Sequence, residues 1–356
     1  MPARKPRIEP YERKPLPNYE TVPLRSEKIT VAAIQMTASK VDPKNPRPGL
    51  KKKLDHIMHC IDLAQVRGRV DLVCFPEFAL QGSACRLWTR ADHLRLAVEL
   101  PGEETELLGR KAKEYNCYIE MAGYTKEKEW PDHFFNCSFI IGPSGKVIHK
   151  HWKANTSQGM LEIGTTVHDV LDEFVERYGW EAVWPVARTD IGNIATFICS
   201  EGFVPETARA FAFNGAEILV RSIGGGVVWG MPTVGDPMFT MRAHCMFNNC
   251  YGVLCNNGFS ETDFYGFQEA GSGKTMLIDN TGEIMREAHT NMETAVMGAI
   301  PIASFRKEHS IPVLRKEIYA PIYQKYEGKF PANLYSKYLP KDHLDGINYA
   351  RRNARW

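Results

Sequence analysis

Phe135-Asn136-Cys137-Ser138-Phe139-Ile140-Ile141, then Gly142-Pro143-Ser144-Gly145, then Lys146-Val147-Ile148-His149-Lys150-His151-Trp152: two runs of strand character flank a four-residue turn. Glycine and proline supply the turn, and aromatic and β-branched residues supply the flanks, so the stretch reads as a β-hairpin. A hairpin pairs its strands antiparallel. Met276–Asp279 and Glu283–Arg286 repeat the pattern around Asn280-Thr281-Gly282, which hints at two similar halves, and Arg188–Ile191 and Ile194–Cys199 do so around Gly192-Asn193.

Working outward, strands alternate with helices. Ile29–Gln35 is a β-branched run, and Leu54, Ile57, Met58 and Ile61 follow at helical spacing. Asp71–Phe75 reads as a buried strand halted by Pro76, which cannot extend a ladder. Glu103–Tyr115 predicts a helix and Cys117–Tyr124 a strand; downstream come a helix at Pro205–Asn214 and strands at Glu217–Arg221 and Tyr251–Asn256. Alternation interrupted by hairpins excludes a purely parallel doubly wound sheet and predicts an α/β layer fold with mixed sheets.

The 356 residues suit one large domain or two ordinary ones, and 44% hydrophobic with 24% charged residues excludes a disordered, collagen-like or coiled-coil chain. Forty-four basic residues against 42 acidic ones leave a net charge of +2, so the composition gives no reason to expect a nucleic-acid partner. No apolar run reaches bilayer length, and the first residues lack the apolar core of a secretion signal. Nine cysteines without Cys-x-x-Cys spacing predict free thiols in a reducing cytoplasm rather than a disulfide framework. Cys245, Cys250 and Cys255, five residues apart, match no common zinc arrangement.

Residues 1–28 hold six prolines and many charges, which predicts an extended arm that is mobile or lies on a neighbour. The domain proper spans 29–303, and 304–356 is a Tyr-, Lys- and Arg-rich extension suited to packing on its own or a partner subunit. His168, Asp169, Asp172 and Glu173, in the segment 164–184, read as a solvated helix face rather than as metal ligands.

Three polar residues at strand ends carry the chemistry. Glu77 follows Cys74-Phe75-Pro76, and apolar surroundings there raise a carboxyl pKa towards that of a general base. Lys153, after His149-Lys150-His151-Trp152, supplies an ammonium able to stabilise an oxyanion or lower a thiol pKa. Cys199 ends Ile194–Ile198, and Ser200-Glu201-Gly202 turns towards a helix, which exposes a nucleophile beside backbone N–H groups.

The chain resembles the nitrilase superfamily of carbon–nitrogen hydrolases. Phe75-Pro76-Glu77-Phe78 resembles its glutamate motif, and Gly145–Lys153 is similar to its lysine motif with His-Trp in place of Tyr-Arg. Cys199-Ser200-Glu201-Gly202, with Pro205-Glu206, resembles its cysteine elbow, and Cys-Ser-Glu-Gly is similar to the aliphatic amidase and formamidase branch, as is Asn214–Arg221. The resemblance implies a four-layer αββα sandwich and a cofactor-free, metal-free hydrolysis of a small-molecule amide to acid and ammonia or amine through a Cys199 thioester. Glu77 would serve as base and Lys153 as oxyanion partner, while Glu162, Ser200 and Glu201 would position the substrate. It also implies a homo-oligomer built from dimers. Nitrile hydrolysis by the same triad, or a silent member that binds or assembles, are the other readings of these residues. Phe78, Leu87, Trp88, Trp152 and Trp229 are candidates to line the acyl pocket.

Overall fold

The computed structural model describes residues 16–66, 68–82, 88–156, 163–224, 237–263, 268–270 and 273–356. In chain order it begins β1 (Ile29–Ala38), α1 (Pro46–Gln65), β2 (Leu72–Glu77), α2 (Arg90–Leu96), β3 (Val98–Glu99) and α3 (Glu103–Tyr115). There follow β4 (Tyr118–Lys126), β5 (Phe135–Ile141), β6 (Val147–Trp152), α4 (Leu171–Tyr178), β7 (Ala187–Thr189), β8 (Gly192–Ile198), α5 (Pro205–Phe213) and β9 (Ile218–Ser222). The chain closes with α6 (Pro237–Asn248), β10 (Tyr251–Cys255), β11 (Asn257–Asp263), β12 (Gln268–Ala270), β13 (Met276–Ile278), β14 (Ile284–Glu287), β15 (Thr294–Ile300), α7 (Ile302–Glu308), α8 (Lys316–Lys325) and α9 (His343–Arg352).

One sheet runs β12-β11-β1-β2-β4-β5-β6, with β15 on β1 and β3 on β4; the other runs β14-β13-β10-β9-β8-β7. Both are mixed. Beside the antiparallel hairpins β5–β6 and β13–β14 lie the parallel pairs β1–β2 and β8–β9. In β1, Ile29, Val31 and Ala33 join Ile194, Ile218, Val220 and Val253 in a core between the sheets, whereas Ala32 and Ile34 join Leu54, Ile57 and Ile61 of α1. On the far side, Phe197, Leu219 and Leu254 pack on Phe211 of α5 and Met241 of α6. The layers are therefore α, β, β, α. Central strands are buried on both faces, which is why they read as continuous apolar runs.

Three expectations need correction. β2 continues through Pro76 to Glu77, because the β2–β4 register shifts between Cys74 and Glu77 and proline is tolerated at such an irregularity. The β7–β8 turn is Asp190-Ile191, with Thr189 opposite Gly192. Asn193 is drawn into the sheet, its side-chain amide donating to Glu20 O at 2.8 Å and Gly215 O at 2.9 Å. Finally, the described part of the arm, residues 16–28, lies on its own chain. Arg25 pairs with Asp71 at 2.6 Å, and the Tyr19 hydroxyl donates to Glu217 at 2.8 Å. The same buried carboxylate accepts two 2.7 Å bonds from Arg306 of α7, so both flanks of the domain meet on Glu217.

No helix among the described residues is long and apolar enough to cross a membrane.

Candidate active site

Glu77 ends β2, almost wholly buried, and its carboxylate is fixed from two strands. The Asn136 side-chain amide of β5 donates to Oε1 at 2.6 Å, and the Gly224 N–H, two residues beyond β9, donates to Oε2 at 2.8 Å. A Cβ at Gly224 would lie 2.7 Å from Oε2 and 2.6 Å from the Phe78 ring, so glycine allows this approach. Lys153, one residue past β6, brings Nζ to 3.6 Å from Glu77 Oε1 and is itself 1% exposed. An ammonium so buried is tolerable because a carboxylate faces it. Its backbone N–H donates to Asn136 O at 2.8 Å, so one asparagine holds both members of the pair.

Cys199 sits where β8 passes into a 3₁₀ turn, Cys199–Phe203. Its φ of +44° is a left-handed conformation that costs a non-glycine residue about 1–3 kcal/mol and must be held by its surroundings. Arg221 of β9 holds it, donating Nε at 3.0 Å and Nη2 at 2.6 Å to the Cys199 carbonyl while Nη1 donates to Thr240 Oγ1 at 2.8 Å. Cys199 is half-buried; the other seven described cysteines are buried, and none of the eight is joined in a disulfide. Burial raises Cys60 to about 12 and Cys117 to about 11, and holds Cys74 and Cys245 well above the ordinary thiol value. Among them, Cys199 is the thiol that solvent can reach.

Glu201 was assigned to substrate positioning by the resemblance, but the structure commits its carboxylate to the chain itself. Oε1 accepts from the Ala154 N–H at 2.7 Å and Oε2 from the Ile198 N–H at 2.8 Å, and His151 Nε2 lies 3.1 Å from Oε2. Since Ala154 follows Lys153 and Ile198 precedes Cys199, Glu201 ties the end of β6 to the Cys199 turn. His151 stands where the family has tyrosine. Ser200 is buried in the first turn, where backbone N–H groups have no acceptor within the helix. Glu162 lies outside the described residues, as do Leu87 and Trp229 of the expected pocket. Trp152 stacks on Tyr178 with ring centroids 5.4 Å apart and meets Phe174 edge-on at 5.3 Å, both on α4. Phe78 packs on Tyr124, and Trp88 on His93.

Within 164–184, Val167–Val170 forms a 3₁₀ turn that leads into α4. Asp169 accepts from Thr166, and Glu173 pairs with Arg177. A His, Cys and carboxylate grouping with metal-ligand spacing among the described residues, His56, Cys60 and Glu293, lies on α1 and the loop before β15, apart from Glu77, Lys153 and Cys199.

Sequence reasoning missed Asn136, Arg221 and Gly224. Their roles arise from contacts between separate strands, and only the Arg221 stretch carried a signal, through its likeness to the amidase branch.

The carbon–nitrogen hydrolase family pattern matches residues 30–307. A formamidase of Bacillus cereus (strain B4264) is 27% identical over 222 residues, covering 60% of this chain and 57% of the relative; one of Bacillus thuringiensis (strain Al Hakam) is 26% identical over the same shares. The chain thus matches somewhat over half the length of these relatives. Among solved structures, a carbon–nitrogen hydrolase of Helicobacter pylori G27 aligns with TM-score 0.61 at 14% identity, covering 85% of this chain and 96% of that one. A nitrilase-superfamily amidase of Nesterenkonia AN1 aligns with TM-score 0.59 at 14% identity, covering 83% and 97%. The αββα layers, and a family pattern that spans all three strand ends, place this chain in the carbon–nitrogen hydrolase family, the nitrilase superfamily.

Proposed function

We propose that the chain hydrolyses a small carboxylic amide to its acid and ammonia through a thioester on Cys199. The observation that carries the reading is the union of Glu77, Lys153 and the Cys199 turn by shared brackets: Asn136 for the first two, Glu201 for the last two. Glu77 takes the thiol proton as Cys199 Sγ attacks the amide carbon. Lys153 Nζ and the Ser200 N–H stabilise the oxyanion, and donors fixed before the reaction contribute most there. Glu77 passes the proton to the leaving nitrogen, then deprotonates the water that cleaves the thioester. Relatives named formamidase favour a small acyl group and an amide over a nitrile.

Ammonia release across amides from formamide to arylamides, beside the matching nitriles, tests the substrate class; faster turnover of nitriles refutes the amide assignment. Cys199→Ala is expected to abolish turnover with an unchanged melting temperature, and retention of most activity would remove the nucleophile from the reading. The free thiols fit the proposed reducing, cytoplasmic setting. Exposed Phe239, Met246 and Phe247 on α6, and Ile318 and Ile322 on α8, support a homo-oligomer built from dimers, checked by mass in solution.

A further inference from the structure

Behind Glu77 lies a second carboxyl, Glu120 of β4, fully buried between the sheets. The two are held by the same strands in consecutive register. On β5, Asn136 binds Glu77 and Ser138, two residues on, donates to Glu120 Oε1 at 2.9 Å. At the end of β9, Gly224 binds Glu77, and Ser222, two residues before it, lies 3.0 and 3.2 Å from the Glu120 oxygens. The Ser222 hydroxyl is also 2.9 Å from the carbonyl of Phe75, two residues before Glu77.

The proton count decides the state of this cluster. A hydroxyl donates one proton, so Ser222 can serve Phe75 O or the Glu120 carboxylate, not both. With Glu120 neutral, its own O–H donates to Ser222 Oγ, Ser222 donates to Phe75 O, and Ser138 donates to Oε1, and every polar atom is satisfied. With Glu120 ionised, Ser222 turns to it beside the Phe75 N–H, and the Phe75 carbonyl loses that donor at the register shift that leads into Glu77.

We propose that Glu120, held as a neutral carboxylic acid, is a positioning residue that fixes the general base Glu77, and that its ionisation disables the site. The inference rests on the amidase reading for Glu77's task. Burial acts in the same direction, raising Glu120 to about 7 against the opposing hydrogen bonds from Ser138, Ser222 and the Phe75 backbone. The titratable groups facing it are the thiols of Cys74 on β2 and Cys255 on β10, both pushed up by burial and so uncharged. On β6, His151 is taken by Glu201; next along the row are Glu77 and Lys153. An ionised Glu120 would also place a second negative charge beside Glu77 and raise the proton affinity of the base.

The test is the pH profile of kcat for wild type and Glu120→Gln, with iodoacetamide alkylation of Cys199, read by mass, over the same range. Wild-type kcat and alkylation are expected to fall about tenfold on the alkaline side, with a midpoint near that of Glu120. Glutamine, whose amide donates to Ser222 and whose oxygen accepts from Ser138, should remove that limb, with KM little changed. Superimposable wild-type and glutamine profiles overturn the proposal. If Glu120→Gln does not fold, Ser138→Ala serves: loss of a donor to the ionised form should move the wild-type limb to higher pH, and an unmoved limb overturns the proposal. Failure to hydrolyse any amide would refute the amidase reading, while the alkylation profile still decides the role of Glu120.

Discussion

Gly202→Ala offers a severe test of how the Cys199 turn is held. A Cβ at Gly202 would lie 2.2 Å from Arg221 Cζ, 2.3 Å from Nε and 2.7 Å from Nη1. The guanidinium is the far end of a flexible side chain, yet it cannot swing aside at low cost. Arg221 is fully buried, bonded to Thr240, and lies 5.0 Å from the Phe203 ring centroid. Accommodating the methyl breaks the two bonds to the Cys199 carbonyl, and hydrogen bonds to a charged group are worth about 1.5–3 kcal/mol each. With partial relaxation, we expect a loss of roughly 3 kcal/mol in stability, because a charge is left incompletely paired in the interior. The turn, released from its left-handed geometry, should misplace the thiol and lower kcat by about a hundredfold. Denaturant melts, ammonia release and Cys199 alkylation would measure the three effects. Wild-type stability and kcat in this variant would refute the view that Arg221 holds the turn.

Glu217→Ala strands the Arg306 guanidinium and removes the Tyr19 acceptor; a loss of about 3–5 kcal/mol is expected in denaturant melts, with residues 16–28 becoming protease-sensitive. Glu120 also predicts the pH dependence of stability. Its folded value is raised from 4.5 to about 7, so as pH rises the unfolded chain releases this proton before the folded one, and stability falls across that window and levels off above it. The wild type should therefore lose roughly 3 kcal/mol relative to Glu120→Gln between about pH 4 and about pH 8, and a pH-independent difference in urea midpoints would contradict the assigned shift.

The layers were legible because strands buried on both faces leave continuous apolar runs, and two hairpins betray themselves by the turns Gly142–Gly145 and Asn280-Thr281-Gly282, whereas Gly192-Asn193 pointed to a turn two residues from the true one. The candidates Glu77, Lys153 and Cys199 stood out in the sequence as polar residues at the ends of such runs. The brackets around them were not. Asn136 meets Glu77 across 59 residues of chain, and Ser222 meets Glu120 across 102, so no local pattern encodes either contact. β15 escaped for another reason: Thr-Ala-Val-Met-Gly-Ala-Ile has weak strand propensity and becomes a strand by pairing with β1. Pro76 misled because its usual meaning assumes regular pairing, and the pairing there is irregular.

That late partner has a bearing on biosynthesis. β1 lies between β2 and β15, matched residue for residue from Ile29–Ile300 to Gln35–Thr294. A nascent chain therefore leaves the Ile29–Gln35 edge of β1 bare until residues near 300 emerge from the ribosome. At a translation speed of about 5–20 residues per second, that interval is on the order of tens of seconds, long enough for stray strands to pair there. The sandwich closes its first sheet almost last, and the newborn chain would gain from a chaperone that covers this edge meanwhile.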